Sequence, residues 1–373
     1  MVVAPDKFKG SLGAAGVAAA VAGGLRAAVP GLDAREHPVA DGGDGTVEAA
    51  LSAGFARREL RCTGPTGEAV PAALAVRDKV AVVELAEASG LKRLPGGRQA
   101  PTTATSRGTG ELVRAALDLG CAQVVLGLGG SACTDGGAGM VQALGARLLD
   151  AAGAELPPGG AALARLDRVD LSGFDPRVAE AEFVVASDVD NPLLGPHGAA
   201  AVYGPQKGAS PAEVALLDTA LARWAALAGA ATGVDAAGAP GAGAAGGVGY
   251  AALAFLRATV RSGIDYLLDL LEVRSALRGA RLVVTGEGSL DEQTLRGKAP
   301  AGVAAAARAA GVPVVAVAGR NTLPPEALEE AGIARAYALA DLEPDPERSM
   351  REPVPLLERL AGRIAADWLG GGR

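Results

Sequence analysis

Between Arg281 and Pro300 the chain reads RLVVTGEGSLDEQTLRGKAP, and the residue types that handle phosphate crowd together there. Glu287 and Asp291 offer hard oxygens of the kind Mg²⁺ accepts. Lys298 brings a mobile positive charge, while Gly286 and Gly288 let backbone approach a ligand closely. A β-branched run that breaks into Gly286-Glu287-Gly288-Ser289 and then turns into a helix would point amides and a positive helix end at an anion. The spacing is not that of a Walker A loop. Taken alone, it reads as an ordinary strand-to-helix turn capped by Ser289. The construction recurs, however, and recurrence shifts the balance toward chemistry.

Four more β-like runs end in the same vocabulary. Met1–Ala4 leads into Asp6-Lys7-Phe8-Lys9-Gly10-Ser11, and Arg35–Val39 into Asp41-Gly42-Gly43-Asp44-Gly45. Val124–Leu128 leads into Gly129-Gly130-Ser131 and on to Asp135; Phe183–Ala186 leads into Ser187-Asp188-Val189-Asp190-Asn191. Two further glycine-punctuated stretches carry Arg107 and Lys207. In open α/β sheets, ligands bind beyond the carboxyl ends of the strands, which is where these clusters fall. A phosphate- or nucleotide-handling enzyme is the expected class.

The elements that must position these residues divide in two. Segments 1–55 and 277–373 supply five strand-helix units, with late strands at 281–285, 312–318 and 335–339. They suffice for one doubly wound, flavodoxin- or Rossmann-like parallel sheet. Segment 56–276 reads as an inserted α/β domain with a mixed sheet. It opens with three strands, near 57–63, 69–77 and 79–86, joined by short turns and hence antiparallel. The expected active site lies in the cleft between the two domains. Ala230–Gly249 is low-complexity Gly/Ala and in isolation reads as a flexible loop.

Composition excludes several alternatives. At 373 residues and 49% hydrophobic, the chain can bury two cores, and a net charge of −7 without a basic run argues against nucleic acid. No apolar run near 20 residues and no charged leader stand out, so no membrane partner and a soluble, cytoplasmic protein are expected. Cys62, Cys121 and Cys133 lack metal-ligand spacing and read as reduced thiols. Only His37 and His197 are present, so proton transfer falls to a carboxylate or a lysine.

The stretches APDKFKGSL (4–12), ADGGDGT (40–46), ATSRGTGEL (104–112), LGLGGSACTDGGAGM (126–140), SDVDNPLLGPHGAAAVYGPQKGA (187–209), PGAGAAGGVGYAALAFL (240–256) and TGEGSLDEQTLRGKAP (285–300) span nearly the whole chain. In that order they resemble the bacterial glycerate kinase family. Cys133-Thr134 and His197 depart from the family's commoner residues, at positions without charge. The resemblance implies ATP-dependent phosphorylation of D-glycerate, usually at the 2-hydroxyl, with ATP and Mg²⁺ as cofactors. A homodimer is a further expectation. The resemblance also makes the Gly/Ala stretch a structured element rather than a loop.

Phosphoryl transfer needs positioning and charge neutralisation more than covalent chemistry. On that basis Lys7, Lys9 and Arg107 are assigned to the glycerate carboxylate or the phosphates. Gly129, Gly130 and Ser131, with Gly286, Gly288 and Ser289, are expected to cradle phosphates through their amides. Ser11, Asn191, Lys207 and Lys298 complete the expected anion contacts. Glu287 and Asp291, with Asp44, are the expected Mg²⁺ ligands. Asp188 or Asp190 is the candidate base for the hydroxyl, with Asp41 next. Two other readings stand beside this one: a kinase for another small hydroxy acid, and a non-catalytic sensor of nucleotide or acid.

Overall fold

The computed structural model describes residues 1–370. Its contacts group into two compact units. One holds Met1–Asp41, Glu48–Gly54 and the chain from Ile264 onward; the other holds Gly42–Val47 and Phe55–Gly263. This grouping differs from the division expected above at Phe55, which falls in the second unit, and at two longer stretches. Segment 264–276 joins the first unit because its helix Val273–Leu277 packs on strand Val2–Pro5 and helix Ala299–Ala309. The six residues Gly42–Val47 join the second unit.

The first unit is built on five parallel strands in the spatial order Arg335–Ala338, Val314–Asn321, Val283–Leu290, Val2–Pro5, Arg35–Glu36. Counted along the chain this is the flavodoxin-like order 2-1-3-4-5, with its switch point between Val2–Pro5 and Val283–Leu290. The last strand is short, but His37 N donates to Val3 O (2.8 Å) and Val39 N to Pro5 O (3.0 Å), so parallel pairing continues to the Asp41 loop. Val3, Val284, Val315 and Val317 are fully buried under helices Ala14–Ala28 and Pro353–Leu369. Alternate faces of a doubly covered strand are both apolar, hence the continuous β-branched runs.

The expected turn at Gly286–Ser289 is not a turn. The strand runs on through Leu290, with Ser289 opposite Arg320 and Leu290 opposite Asn321. The α-helix beyond it starts only at Ala299, nine residues past the end of the strand. Gly286 is required by its neighbour strand: a Cβ there would lie 2.1 Å from the Val317 carbonyl oxygen. Glycines usually signal turns; here one signals close strand packing.

The second unit carries a six-stranded mixed sheet in the order Thr259–Arg261, Glu182–Ala186, Gln123–Gly127, Val80–Glu84, Ala69–Arg77, Ala56–Thr63. The first four are mutually parallel and the last two antiparallel, as the hairpin turns predict. Thr259–Arg261, at the sheet edge, is three residues long. Helix Ala244–Phe255 replaces part of the Gly/Ala stretch, entering through residues 245–247 at positive φ. Its Phe255 stacks on Trp224 (5.3 Å between ring centroids) in the core. Trp224 comes from helix Pro211–Thr232, capped by a Ser210/Glu213 box. Contrary to the sequence expectation, that helix is long and apolar enough to cross a membrane, the one such helix among the described residues. Its Leu217, Leu221 and Trp224 are spent on the core of this unit.

Candidate active site

At the switch point of the first unit, strand Val2–Pro5 ends and the chain turns out through Asp6 and Lys7. Asp6, which the sequence reading did not single out, is 7% exposed. One of its oxygens accepts from the Lys7 amide (2.6 Å) and from the Lys7 ammonium (3.3 Å). Burial pushes its carboxyl up to about 6; Lys7 opposes that shift and the nearby Asp41 adds to it. A lysine, a half-buried Asp41 and a buried aspartate thus share one strand end. Lys9 follows on the exposed side, and Ser11 Oγ donates to the Met350 carbonyl (2.6 Å), so that hydroxyl organises a loop in this structure.

The neighbouring strand presents Glu287 beside this point. Glu287 is 8% exposed, accepts from the Thr294 hydroxyl, and pairs with Lys298 at 3.5 Å. Burial raises its pKa, against the pull of Thr294 and Lys298. Lys298 also lies 3.8 Å from Asp291, whose other contacts are local: Oδ1 accepts from Gln293 N (2.9 Å) and Ser289 Oγ donates to Oδ2 (3.5 Å). Ser289 in turn accepts from Arg320 Nε (3.0 Å). Two carboxylates bridged by one lysine make a charge-poised pair at the end of this strand.

In the second unit the glycine-rich clusters converge. The loop Gly42–Val47 lies across the ends of the parallel strands. A Cβ on Gly42, which has φ +86°, would sit 2.0 Å from Ala186 O, and one on Gly129 would sit 2.4 Å from Gly43 Cα. Asp44 is ion-paired with Lys92 at 2.6 Å. The Gly129–Ser131 turn is tied down by Leu91 N to Gly130 O (2.9 Å) and Ala132 N to Ser89 O (2.9 Å). Asp188 is exposed just past strand Glu182–Ala186, its carboxylate accepting from Gly263 N at 3.2 and 3.3 Å. Asp190 is exposed in the same loop. Asn191 braces it, accepting from Tyr203 OH (2.7 Å) and donating to His197 O (2.9 Å).

Two residues of this unit serve the interior. Lys207, expected at an anion, is 2% exposed, and its ammonium donates to the Cys133 carbonyl; burial lowers its pKa, with Asp135 among the groups opposing that. Asp135 is fully buried and accepts from Ser106 N (2.8 Å), Ser106 Oγ (2.9 Å), Gly137 N (3.1 Å) and Gly139 N (3.2 Å). It fastens the loop after strand Gln123–Gly127 to the start of helix Arg107–Asp118. Arg107 itself projects there, 3.4 Å from Glu111. Asp135→Ala strands several buried donors, so denaturant unfolding should show a loss of order 3–5 kcal/mol. A loss below ~1 kcal/mol would mean water replaces the carboxylate.

The carboxylates can be tested for a metal. Among the described residues no three His, Cys, Asp or Glu side chains gather as a resident cage. Mg²⁺ commonly takes only one or two carboxylates and fills its sphere with phosphate oxygens and water. Glu287 and Asp291 fit that mode, for an ion that arrives with phosphates. Asp44, in the second unit, is paired to Lys92.

The model of the glycerate kinase family matches residues 1–369. A glycerate kinase of Bacillus subtilis (strain 168) is 44% identical over 369 residues, covering 98% of this chain and 97% of its own. The glycerate 2-kinase of Escherichia coli (strain K12) is 45% identical over 325 residues, 86% of this chain and 85% of its own. A crystal structure from Salmonella typhimurium LT2, assigned as a glycerate kinase 2, covers 98% of both chains at 42% identity with a TM-score of 0.83.

Proposed function

This chain belongs to the glycerate kinase family, and from that premise we propose that it transfers the terminal phosphoryl group of ATP to the 2-hydroxyl of D-glycerate, giving 2-phosphoglycerate. The observation that carries this reading is the placement of charge at strand ends. Asp6, Lys7, Asp41, Glu287 and Lys298 surround the switch point of one sheet. Asp44, the Gly129–Gly130 turn and Asp188 occupy the strand ends of the other. Lysines and amides compensate charge on an anionic acceptor and on phosphates, and an exposed aspartate is available to take the hydroxyl proton.

In this scheme Lys7, Lys9 and Arg107 hold anionic groups, and Lys298 screens the carboxylates beside it. Asp188 removes the hydroxyl proton, with Asp190 and Asp41 as the alternatives. Mg²⁺ bound with the nucleotide would be held by Glu287 and Asp291 and would neutralise phosphate charge. With aromatics only 3% of the chain, adenine is assigned to aliphatic contacts. ATP places the reaction in the cytoplasm.

The test is a substrate panel. Purified chain with Mg-ATP should release ADP with D-glycerate at a kcat/KM at least ~10-fold above L-glycerate, glycolate or D-lactate. A higher value with another acid would transfer the activity to that substrate, and no ADP with any acid would end the proposal.

A further inference from the structure

Glu84 is the last residue of strand Val80–Glu84 and is 3% exposed, yet nothing in the scheme above uses it. Its two carboxylate oxygens each take one backbone amide from the glycine-rich loop: Oε1 accepts from Gly45 N at 3.1 Å and Oε2 from Val47 N at 3.0 Å. The loop has few handles of its own. Gly42, Gly43 and Gly45 carry no side chains, and Thr46 Oγ1 closes back on Gly43 O (2.6 Å). The loop lies close on the strand ends: a Cβ on Gly42 would meet Ala186 O, one on Gly127 would meet Gly42 O, and one on Gly129 would meet Gly43 Cα. Besides the Asp44–Lys92 ion pair, its amides offer a hold, and a carboxylate can take two of them two residues apart.

We propose that Glu84 is the positioning residue of this loop, holding Gly42–Val47, and with it Asp44, against the Gly129–Gly130 turn. The functional part of the proposal rests on the reading that these strand ends serve phosphoryl transfer. The ionised form is the one that accepts both amides; a proton on either oxygen forfeits one of them. Burial pushes the Glu84 carboxyl up to about 7, the two amides oppose this, and Asp44 and Glu87 add to it. Those two are themselves paired, Asp44 with Lys92 and Glu87 with Arg93 at 3.5 Å. The loop is therefore held above about pH 7 and loosened below it. The linkage sign runs the other way for stability. Between the usual carboxylate range and about 7, the folded chain binds a proton that the unfolded chain has lost, so ionised Glu84 costs stability as pH rises. A residue kept only for stability would not show that combination.

The experiment uses the full-length protein and Glu84→Gln, which keeps the shape and one acceptor but turns an NH₂ toward the second amide. At pH 8 kcat should fall about 10²-fold, as expected for a displaced site element. KM for D-glycerate should change by less than ~3-fold and the thermal midpoint by a few degrees. In the wild type, hydrogen exchange at the Gly45 and Val47 amides, corrected for the intrinsic rate, should lose protection as pH falls through about 7, while Val125 in the sheet does not. Should the variant fail to fold, the exchange result decides. Wild-type kcat in Glu84→Gln, or pH-independent protection at Gly45 and Val47, would overturn the proposal. A wild-type enzyme inactive on every acid with intact exchange behaviour would instead remove the functional reading and leave the anchoring in place.

Discussion

Replacing Lys7 by alanine is expected to lower kcat/KM for D-glycerate by about 10²–10³-fold, the range for deleting one preorganised charge at a reacting anion. Lys7 stands just past strand Val2–Pro5 at the switch point, and its ammonium is steered by Asp6 at 3.3 Å. The same Asp6 oxygen holds the Lys7 amide at 2.6 Å, so the backbone is fixed even when the side chain is cut. The change therefore removes charge rather than fold. It also removes the group that opposes the upward shift of Asp6, which then spends more of its time protonated near neutrality. Initial rates with glycerate and ATP varied in turn would locate the loss. An unaltered profile in both substrates would take Lys7 out of the site.

The second large effect is expected for Asp188→Asn, with kcat down by about 10²–10⁴-fold, the usual contribution of a positioned general base. Asparagine keeps an acceptor for Gly263 N, now met at 3.2 and 3.3 Å, so the loop after strand Glu182–Ala186 should hold its shape. ATP affinity and the unfolding midpoint should stay near those of the parent. If turnover is unchanged, the same substitution at Asp190 and then Asp41 identifies the base.

Much of this arrangement was legible because phosphate chemistry and sheet topology leave marks in composition. Asp41-Gly42-Gly43-Asp44-Gly45 is richer in both residue types than a turn requires, and it does lie on strand ends. The hairpin strands expected near 57–63 and 69–77 run over Ala56–Thr63 and Ala69–Arg77, bounded by their turn residues almost as read. What misled was chemistry that depends on tertiary neighbours. Gly286 looks like a turn glycine until Val317 O is placed against it. Lys207 looks like an anion contact until the core closes over it and its ammonium finds the Cys133 carbonyl. Glu84 reads as the ordinary end of an apolar strand, since the amides it grips are about forty residues away in the chain. Asp6 was hidden by the lysine beside it. Its unusual position comes from burial, which no spacing reveals.

The most direct measurement is phosphorus NMR of the product formed from D-glycerate and Mg-ATP by the purified chain. Phosphate on the 2-oxygen couples to one carbon-bound hydrogen and gives a doublet; on the 3-oxygen it couples to two and gives a triplet. A doublet growing in step with ADP is the predicted result. A triplet, or ADP release without any phosphorylated glycerate, would contradict the account.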